Sequence, residues 1–348
     1  MADARTPRDA THGARVIVIA AALTCVASVG TLAFCAIAGG PPAGGVAGQA
    51  AAERPVGARR DDPIAADTGQ GRPARPAPDG QRPADDPGQV DELSADIRAA
   101  SEASGMLTCV CVIDLTSGVT YSCNGDRQLA SASMIKMVIA HAFLEQVREG
   151  AFSLDSPYTL KASDIVGGTG TPGGLGTGAR VTYRDILTRM IDVSDNTGTN
   201  ILIDAVGMEA INQTAQDLGL TATRLNRHMI DRDAMAEGLE NYTSAHDMAR
   251  LMRMVHDGTF VDEASSKLVL RALEQQQDRG GVRDGLPAGV TFAHKTGTLE
   301  TVRHDGGIVE GERPFVLVVL CGGEGFSEQG ALATMAEVAH VAYAGIAG

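Results

Sequence analysis

Ser131-Ala132-Ser133-Met134-Ile135-Lys136, running on into Met137-Val138-Ile139-Ala140-His141-Ala142-Phe143-Leu144, is the stretch whose reading decides the fold. Its apolar residues leave no polar face. A helix that is apolar all round belongs in the middle of its domain rather than on the surface. Gly150 is placed to end it. At the head of this buried helix stands Ser133, with Lys136 three residues on, so the two side chains share a face one turn apart. Ser131 has no lysine at that spacing.

Lysine is otherwise scarce. The chain has four, Lys136, Lys161, Lys267 and Lys295, among 29 basic residues. An amine can be desolvated to neutrality near pH 7, whereas a guanidinium stays charged. Lys295 opens Lys295-Thr296-Gly297, and Ser194-Asp195-Asn196 lies between the two lysines. Ser-x-x-Lys alone arises by chance about once in roughly 250 residues, but the three motifs in this order arise in on the order of one chain in a thousand.

The residue types fit one chemistry. A serine hydroxyl is a poor nucleophile until a base takes its proton. A lysine in a dry site beside another cation has a depressed pKa and can be that base. Ser133 is thus the candidate nucleophile and Lys136 its base. Ser194 is the candidate proton shuttle to a leaving nitrogen, with Lys295 tuning its field. The Asn196 amide suits a substrate acylamide, and Asp195 suits a helix cap. Gly297 lets a substrate backbone lie against a strand edge. The Thr296 and Thr298 hydroxyls suit a substrate carboxylate. The backbone N–H groups of Ser133 and Thr298 are candidate oxyanion-hole donors. No histidine or cysteine spacing resembles a zinc site, so neither a metal nor another cofactor is expected.

Around these motifs the pattern reads as α+β. Residues 107–114 read as a strand, Thr116-Ser117-Gly118 as a turn and 119–123 as its hairpin partner. Residues 162–180 read as a glycine-rich surface loop, with no phosphate-cradle lysine after it. Helices are expected at 183–193, 199–206, 243–255 and 328–346, and strands at 290–295, 302–309 and 315–321. The last strand is a continuous apolar run, so buried on both faces. The sum is one antiparallel sheet with helices packed against it.

Ahead of this domain, residues 16–38 carry no charge, with Arg5, Arg8 and Arg15 on their N-terminal side. That is a membrane-directing segment with positive charge at the cytoplasmic end. It is long enough to span a bilayer, and Ala36-Ile37-Ala38 fits a cleavage site. Retained as an anchor or cleaved, it carries the rest of the chain out of the cytoplasm. Residues 41–90 hold nine of the 14 prolines and eight glycines without apolar periodicity, a disordered tether. The expected organisation is a cytoplasmic segment 1–15, a signal or anchor helix 16–38, a linker 39–91 and a catalytic domain 92–348. The net charge of −14 argues against nucleic acid as a partner. Export permits disulfides, so one of Cys109 and Cys111 is expected to pair with Cys123 or Cys321, with buried free thiols as the alternative.

The three motifs form the signature set of the class A serine β-lactamases and their β-lactamase-like serine hydrolase relatives. Residues 95–346 resemble that family. Thr223-Arg224-Leu225-Asn226-Arg227 looks like the start of its omega loop, and Asn241-Tyr242-Thr243-Ser244 followed by Asp247-Met248-Ala249 looks like its end. The resemblance implies a three-layer fold: a five-stranded antiparallel sheet flanked by helices, plus an all-helical part carrying Ser133 and Ser194. It implies an acyl-enzyme on Ser133 with β-lactams or acyl-D-Ala-D-Ala peptides. One departure stands out. Met229 occupies the place of the glutamate that activates the deacylating water in those β-lactamases, in Arg227-His228-Met229-Ile230-Asp231. Asp231 is the expected substitute. A slow β-lactamase, a D-Ala-D-Ala carboxypeptidase or esterase, and a penicillin-binding module without turnover all stay open.

Overall fold

The protein is described by a computed structural model covering residues 87–169 and 176–348. The cytoplasmic segment, the anchor and most of the linker expected ahead of the domain lie outside the described residues. Among the described residues no helix is long and apolar enough to cross a membrane.

The chain opens with α1 (Pro87–Glu102), then β1 (Leu107–Asp114) and β2 (Thr120–Cys123). Helix α1 starts inside the expected linker. Proline is well placed in a first turn, where its missing N–H costs nothing, so the proline-rich composition conceals a helix start. The hairpin between β1 and β2 is as expected, with Gly118 at φ 80°.

After a two-residue strand β3 (Leu129–Ala130) comes a single 3-10 turn, Ala132–Ile135, and then α2 (Lys136–Arg148). Ser133 therefore sits in a tight turn ahead of the helix rather than inside its first turn. Every residue of α2 from Lys136 to Leu144 is buried. Phe143 is fully buried, with ring centroids 5.5 Å from Phe152 and 5.4 Å from Tyr183.

The small strands β4 (Pro157–Thr159) and β5 (Arg180–Thr182) bracket the glycine-rich segment, followed by α3 (Tyr183–Asp192), α4 (Asn196–Val206) and α5 (Met208–Asp217). Next come a five-residue helix α6 (Arg232–Ala236), the short strand β6 (Tyr242–Thr243), α7 (Ala245–His256) and α8 (Glu263–Glu274). Polar caps set these starts: Thr182 for α3, Asp195 for α4, Ser244 for α7 and Asp262 for α8, each accepting a backbone N–H. Helix α4 therefore begins directly after its Asp195 cap, three residues earlier than its apolar pattern indicates. Helix α7 begins two residues later, because Thr243 pairs with Leu129.

The chain closes with β7 (Phe292–Leu299), β8 (Val302–Val309), β9 (Phe315–Gly322) and α9 (Glu328–Ile346). The sheet is antiparallel in the order β2-β1-β9-β8-β7. Thr296-Gly297-Thr298 lies inside edge strand β7 rather than after it. One core, on the face toward the helical body, includes α2, α3 and α7 residues such as Met137, Leu187 and Met252. The other face packs against α1 and α9 through Ile97, Leu317, Met335 and Val338. This is the expected three-layer α+β arrangement.

Strand alternation also decides the cysteines. Cys109 and Cys111 point into the first core, Cys123 and Cys321 into the second. The sheet separates the two pairs, and all four are buried free thiols. The expected disulfide does not form.

Because α2 carries Lys136 through the middle of the domain, truncating its largest anchor should be costly. Phe143→Ala should destabilise the domain by about 3–5 kcal/mol, read as a lower denaturant midpoint at unchanged slope. A loss below about 1 kcal/mol would mean that the aromatic cluster does not hold this helix in place.

Candidate active site

The three motifs come from α2, the turn before α4, and β7, and they meet at one hydroxyl. Lys136 Nζ donates to Ser194 Oγ at 3.0 Å, to Ser194 O at 2.7 Å and to Asn196 Oδ1 at 2.9 Å. Lys295 Nζ donates to the same Ser194 Oγ at 3.0 Å and to Thr296 O at 2.7 Å. Both lysines are fully buried. Ser194 Oγ thus accepts from two amines, and its own proton is free to face the cleft.

Burial is the largest cause of an unusually low pKa at both lysines. At Lys136 the nearby Lys295 charge lowers it further, partly opposed by Asp195, and the value falls well below the ordinary lysine range. Lys295 drops to about 7, with Asp278 and Asp305 opposing the fall. Two ammonium groups on one buried hydroxyl repel each other, so the pair is set to shed a proton near neutral pH. The contacts of Lys136 run to Ser194 and Asn196 rather than to Ser133, so the expected Ser133–Lys136 pair is a pair by proximity on one turn.

Backbone geometry holds these groups. Ser194 is at φ 55° and Ala132 at φ 45°, left-handed values that cost of order 1–3 kcal/mol each for residues with side chains. The Ser133 turn is tied down by Ser131 N donating to Asn241 O at 2.7 Å. His304 donates to Ala130 O at 2.7 Å. Burial pushes His304 down to about 4, so it is neutral and its Nε2 carries the proton. Asp195 caps α4 through Gly198 N at 2.8 Å, as its sequence position implies.

Gly297 does not serve only an open strand edge. A Cβ there would stand 3.1 Å from Ala132 Cβ and 3.2 Å from Ser133 N, so the missing side chain lets β7 close on the serine turn. The glycine-rich segment is more than a surface loop. Thr169 Oγ1 donates to Ser194 O at 3.0 Å, and Asn196 Nδ2 donates to Gly167 O at 3.3 Å. Gly168, at φ 91°, would drive a Cβ to 2.6 Å from Asn196 Nδ2. Thr169 is not readable from sequence as a site residue, because only glycine content marks its segment.

Two pockets meet at Ser133. A cleft of about 530 Å³ is lined by Ser133, Ser194, Asp278, Thr296, Gly297 and Thr298 among others. A second pocket of about 210 Å³ runs under the omega segment past Arg227, Met229, Ile230, Met235 and Asn241. The segment's ends are stapled. Arg224 and Tyr242 exchange backbone bonds of 3.0 Å, and Asn241 Oδ1 accepts from Asn226 N at 2.7 Å and Arg227 N at 3.0 Å. Met229 is buried, its backbone clamped on both sides by the Asn200 amide at 2.8 and 3.1 Å. Ile230 sits at φ 59°. Asp231, the expected substitute base, is spent as the N-cap of α6 on Ala234 N at 3.0 Å, and it does not line this pocket. Glu240 pairs with Arg227 at 2.7 Å. No Asp or Glu lines this pocket among the described residues.

Known proteins are similar to this chain in sequence and fold. Residues 92–346 match the Beta-lactamase enzyme family. The chain is 25% identical over 210 residues to β-lactamase CARB-3 of Pseudomonas aeruginosa, 59% of this chain and 72% of that one. It is 26% identical over 226 residues to the extended-spectrum β-lactamase PER-1 of Pseudomonas aeruginosa, 61% of this chain and 73% of that one. Among solved structures, a β-lactamase from Sphaerobacter thermophilus superposes with a TM-score of 0.67 at 29% identity, covering 72% of this chain and 96% of that one. A leucine-to-glutamate variant of PBP-A, in an acyl-enzyme complex with penicillin G, gives 0.67 at 26% identity over 73% of this chain and 96% of that one. The chain belongs to the β-lactamase enzyme family and is a serine β-lactamase-like hydrolase.

Proposed function

We propose that the domain acts on β-lactams through an acyl-enzyme on Ser133 and releases the acyl group slowly. The observation that carries the acylation half is the hydroxyl of Ser194 held by two buried lysines. Loss of one proton from Lys136 Nζ frees a lone pair one turn from Ser133, and that lone pair takes the Ser133 Oγ proton as the oxygen attacks the lactam carbonyl. The backbone N–H groups of Ser133 and Thr298 are the proposed donors to the developing oxyanion. Ser194 Oγ then gives its proton to the leaving ring nitrogen and is reprotonated from the lysine pair, so the C–N bond breaks as the ester forms.

The slow half rests on the second pocket. Hydrolysis of the ester needs a base beside a water, and a thioether cannot take a proton. Met229 stands where that base is expected, and the neighbouring carboxylates are committed to Ala234 N and Arg227. This favours a second reading beside the first: a penicillin-binding protein that keeps its adduct, or a carboxypeptidase or esterase on acyl-D-Ala-D-Ala substrates. The acyl-enzyme with penicillin G reported for the PBP-A variant supports the shared first step. We further propose that the domain works outside the cytoplasmic membrane, anchored by residues 16–38 or released by cleavage near Ala38; the uncharged run with arginines ahead of it supports this.

Intact-mass spectrometry of the protein mixed with benzylpenicillin tests the nucleophile. Ser133→Ala should form no adduct, while Ser131→Ala should still form one; an adduct surviving in Ser133→Ala would remove Ser133 from the role. Lys136→Arg should slow adduct formation by at least about a hundredfold, the usual scale for a lost general base. Near-normal acylation in that variant would make Lys136 purely structural.

Turnover is tested by following adduct loss. The wild-type protein should accumulate adduct, with weak steady-state hydrolysis of a chromogenic cephalosporin. Met229→Glu should speed adduct loss and leave its formation little changed. Asp231→Asn should leave turnover as it is, because its carboxylate caps a helix. Fast wild-type turnover would contradict the slow-release reading.

A further inference from the structure

The cleft contains an acidic side chain in the place where a substrate carboxylate is expected to dock. Asp278 lines the same cavity as Ser133, Ser194 and Thr296–Thr298. Its Oδ1 accepts from Arg303 Nη2 at 2.8 Å, and Arg303 Nη1 donates to Thr298 Oγ1 at 2.6 Å. The Arg303 side chain is 7% exposed and that of Asp278 40%, so the carboxylate covers the guanidinium from the cleft side. Asp305 and Glu328 add negative potential around Arg303. Arg189, which does line the cleft, lies 3.6 Å from Asp195.

Asp278 is built into the wall. Gln276 Nε2 donates to Ile191 O at 2.9 Å, and Gln276 Oε1 accepts from Gln277 N at 2.9 Å and from Asp278 N at 3.1 Å. Gln277 N also bonds Asp192 O at 3.1 Å. Burial works against the charge on Asp278, but hydrogen bonds and charge from Arg303, with the Thr296 hydroxyl, outweigh it and keep the carboxyl below its usual range. It is therefore an anion at neutral pH. A carboxylate entering beside Thr296 and Thr298 finds the arginine already paired and a like charge next to it.

We propose that Asp278 is a specificity-determining residue: by occupying Arg303 it makes the cleft prefer acyl donors whose leaving side is uncharged or cationic over those bearing a carboxylate there. The proposal rests on the acyl-enzyme reading above and names the substrate class for the same cleft. The Thr298 hydroxyl, which accepts from Arg303, still has its proton to offer to a neutral carbonyl.

The test compares adduct formation on the full chain with benzylpenicillin, which carries the carboxylate, and with its methyl ester, which does not. The readout is the ratio of the two acylation rate constants. Asp278→Ala and Asp278→Asn, both checked by thermal melting, should shift that ratio toward the anionic compound by about tenfold, the scale of one charge–charge contact near a surface. In the wild-type protein, added salt should speed acylation by benzylpenicillin relative to the ester, because it screens the repulsion. A ratio unchanged within about twofold in folded variants, or anionic acylation that slows relative to the ester as salt rises, would overturn the proposal while leaving the acyl-enzyme intact. No adduct with either compound would overturn the acyl-enzyme reading and this proposal together.

Discussion

Two buried amines share one hydroxyl, and the rest of the site depends on that arrangement. Lys136 and Lys295 both reach Ser194 Oγ at 3.0 Å. Burying a single ammonium is expensive, and burying two in contact with one oxygen is more so unless a proton leaves. The carbonyls of Ser194 and Thr296 and the Asn196 amide take the remaining donors. To bring those acceptors in, the chain adopts a left-handed backbone at Ser194, folds the glycine-rich segment back onto it through Thr169, and sets edge strand β7 against the Ser133 turn at Gly297. Helix α2 has to be apolar all round because the lysine at its start must stay dry.

The two halves of the cleft differ in character. The acylation half is dense with polar groups that bond one another. The omega side is held as firmly, by Asn241, Asn226 and Asn200, but beside Arg227 and Asn241 it presents the thioethers of Met229 and Met235 and the aliphatic Ile230 to the pocket, with no carboxylate among the described residues. In the proposed mechanism, a pocket without a carboxylate among its described lining residues leaves the ester with no base to activate a water. The same economy of free charge holds near Arg303, whose guanidinium is covered by Asp278. In the proposed mechanism the cleft forms a bond to an acyl group readily, releases the product slowly and disfavours an anion on the leaving side.

Much of this is legible in linear order because the catalytic groups fall in three short motifs whose internal spacing is set by one helical turn, one capped helix start and one strand. Strand β1 and helix α9 match their expected bounds, since each is a largely apolar pattern bounded by turn residues. The misses share a cause, which is contact between distant segments. Thr169, His304 and Asp278 are ordinary polar residues in sequence and acquire roles only through Ser194, Ala130 and Arg303. Helix α1 hides behind Pro87, and α5 and α8 carry no motif to anchor them. The cysteine pairing fails for a geometric reason that alternation along β1 contains, but only the strand order reveals which face β2 and β9 give their own cysteines.

Activation of Ser133 as proposed requires that a lysine of this pair be neutral near physiological pH, and the scarcity of lysine makes that directly measurable. With only four lysines in the chain, carbon-13-labelled side chains give a spectrum in which each amine can be assigned by substitution and titrated. Lys136 should titrate well below the ordinary lysine value of about 10.4, and Lys295 near 7. If both Lys136 and Lys295 stayed protonated up to the ordinary lysine range of about 10.4, the site would hold two permanent cations, and Lys136 could not activate Ser133 as proposed.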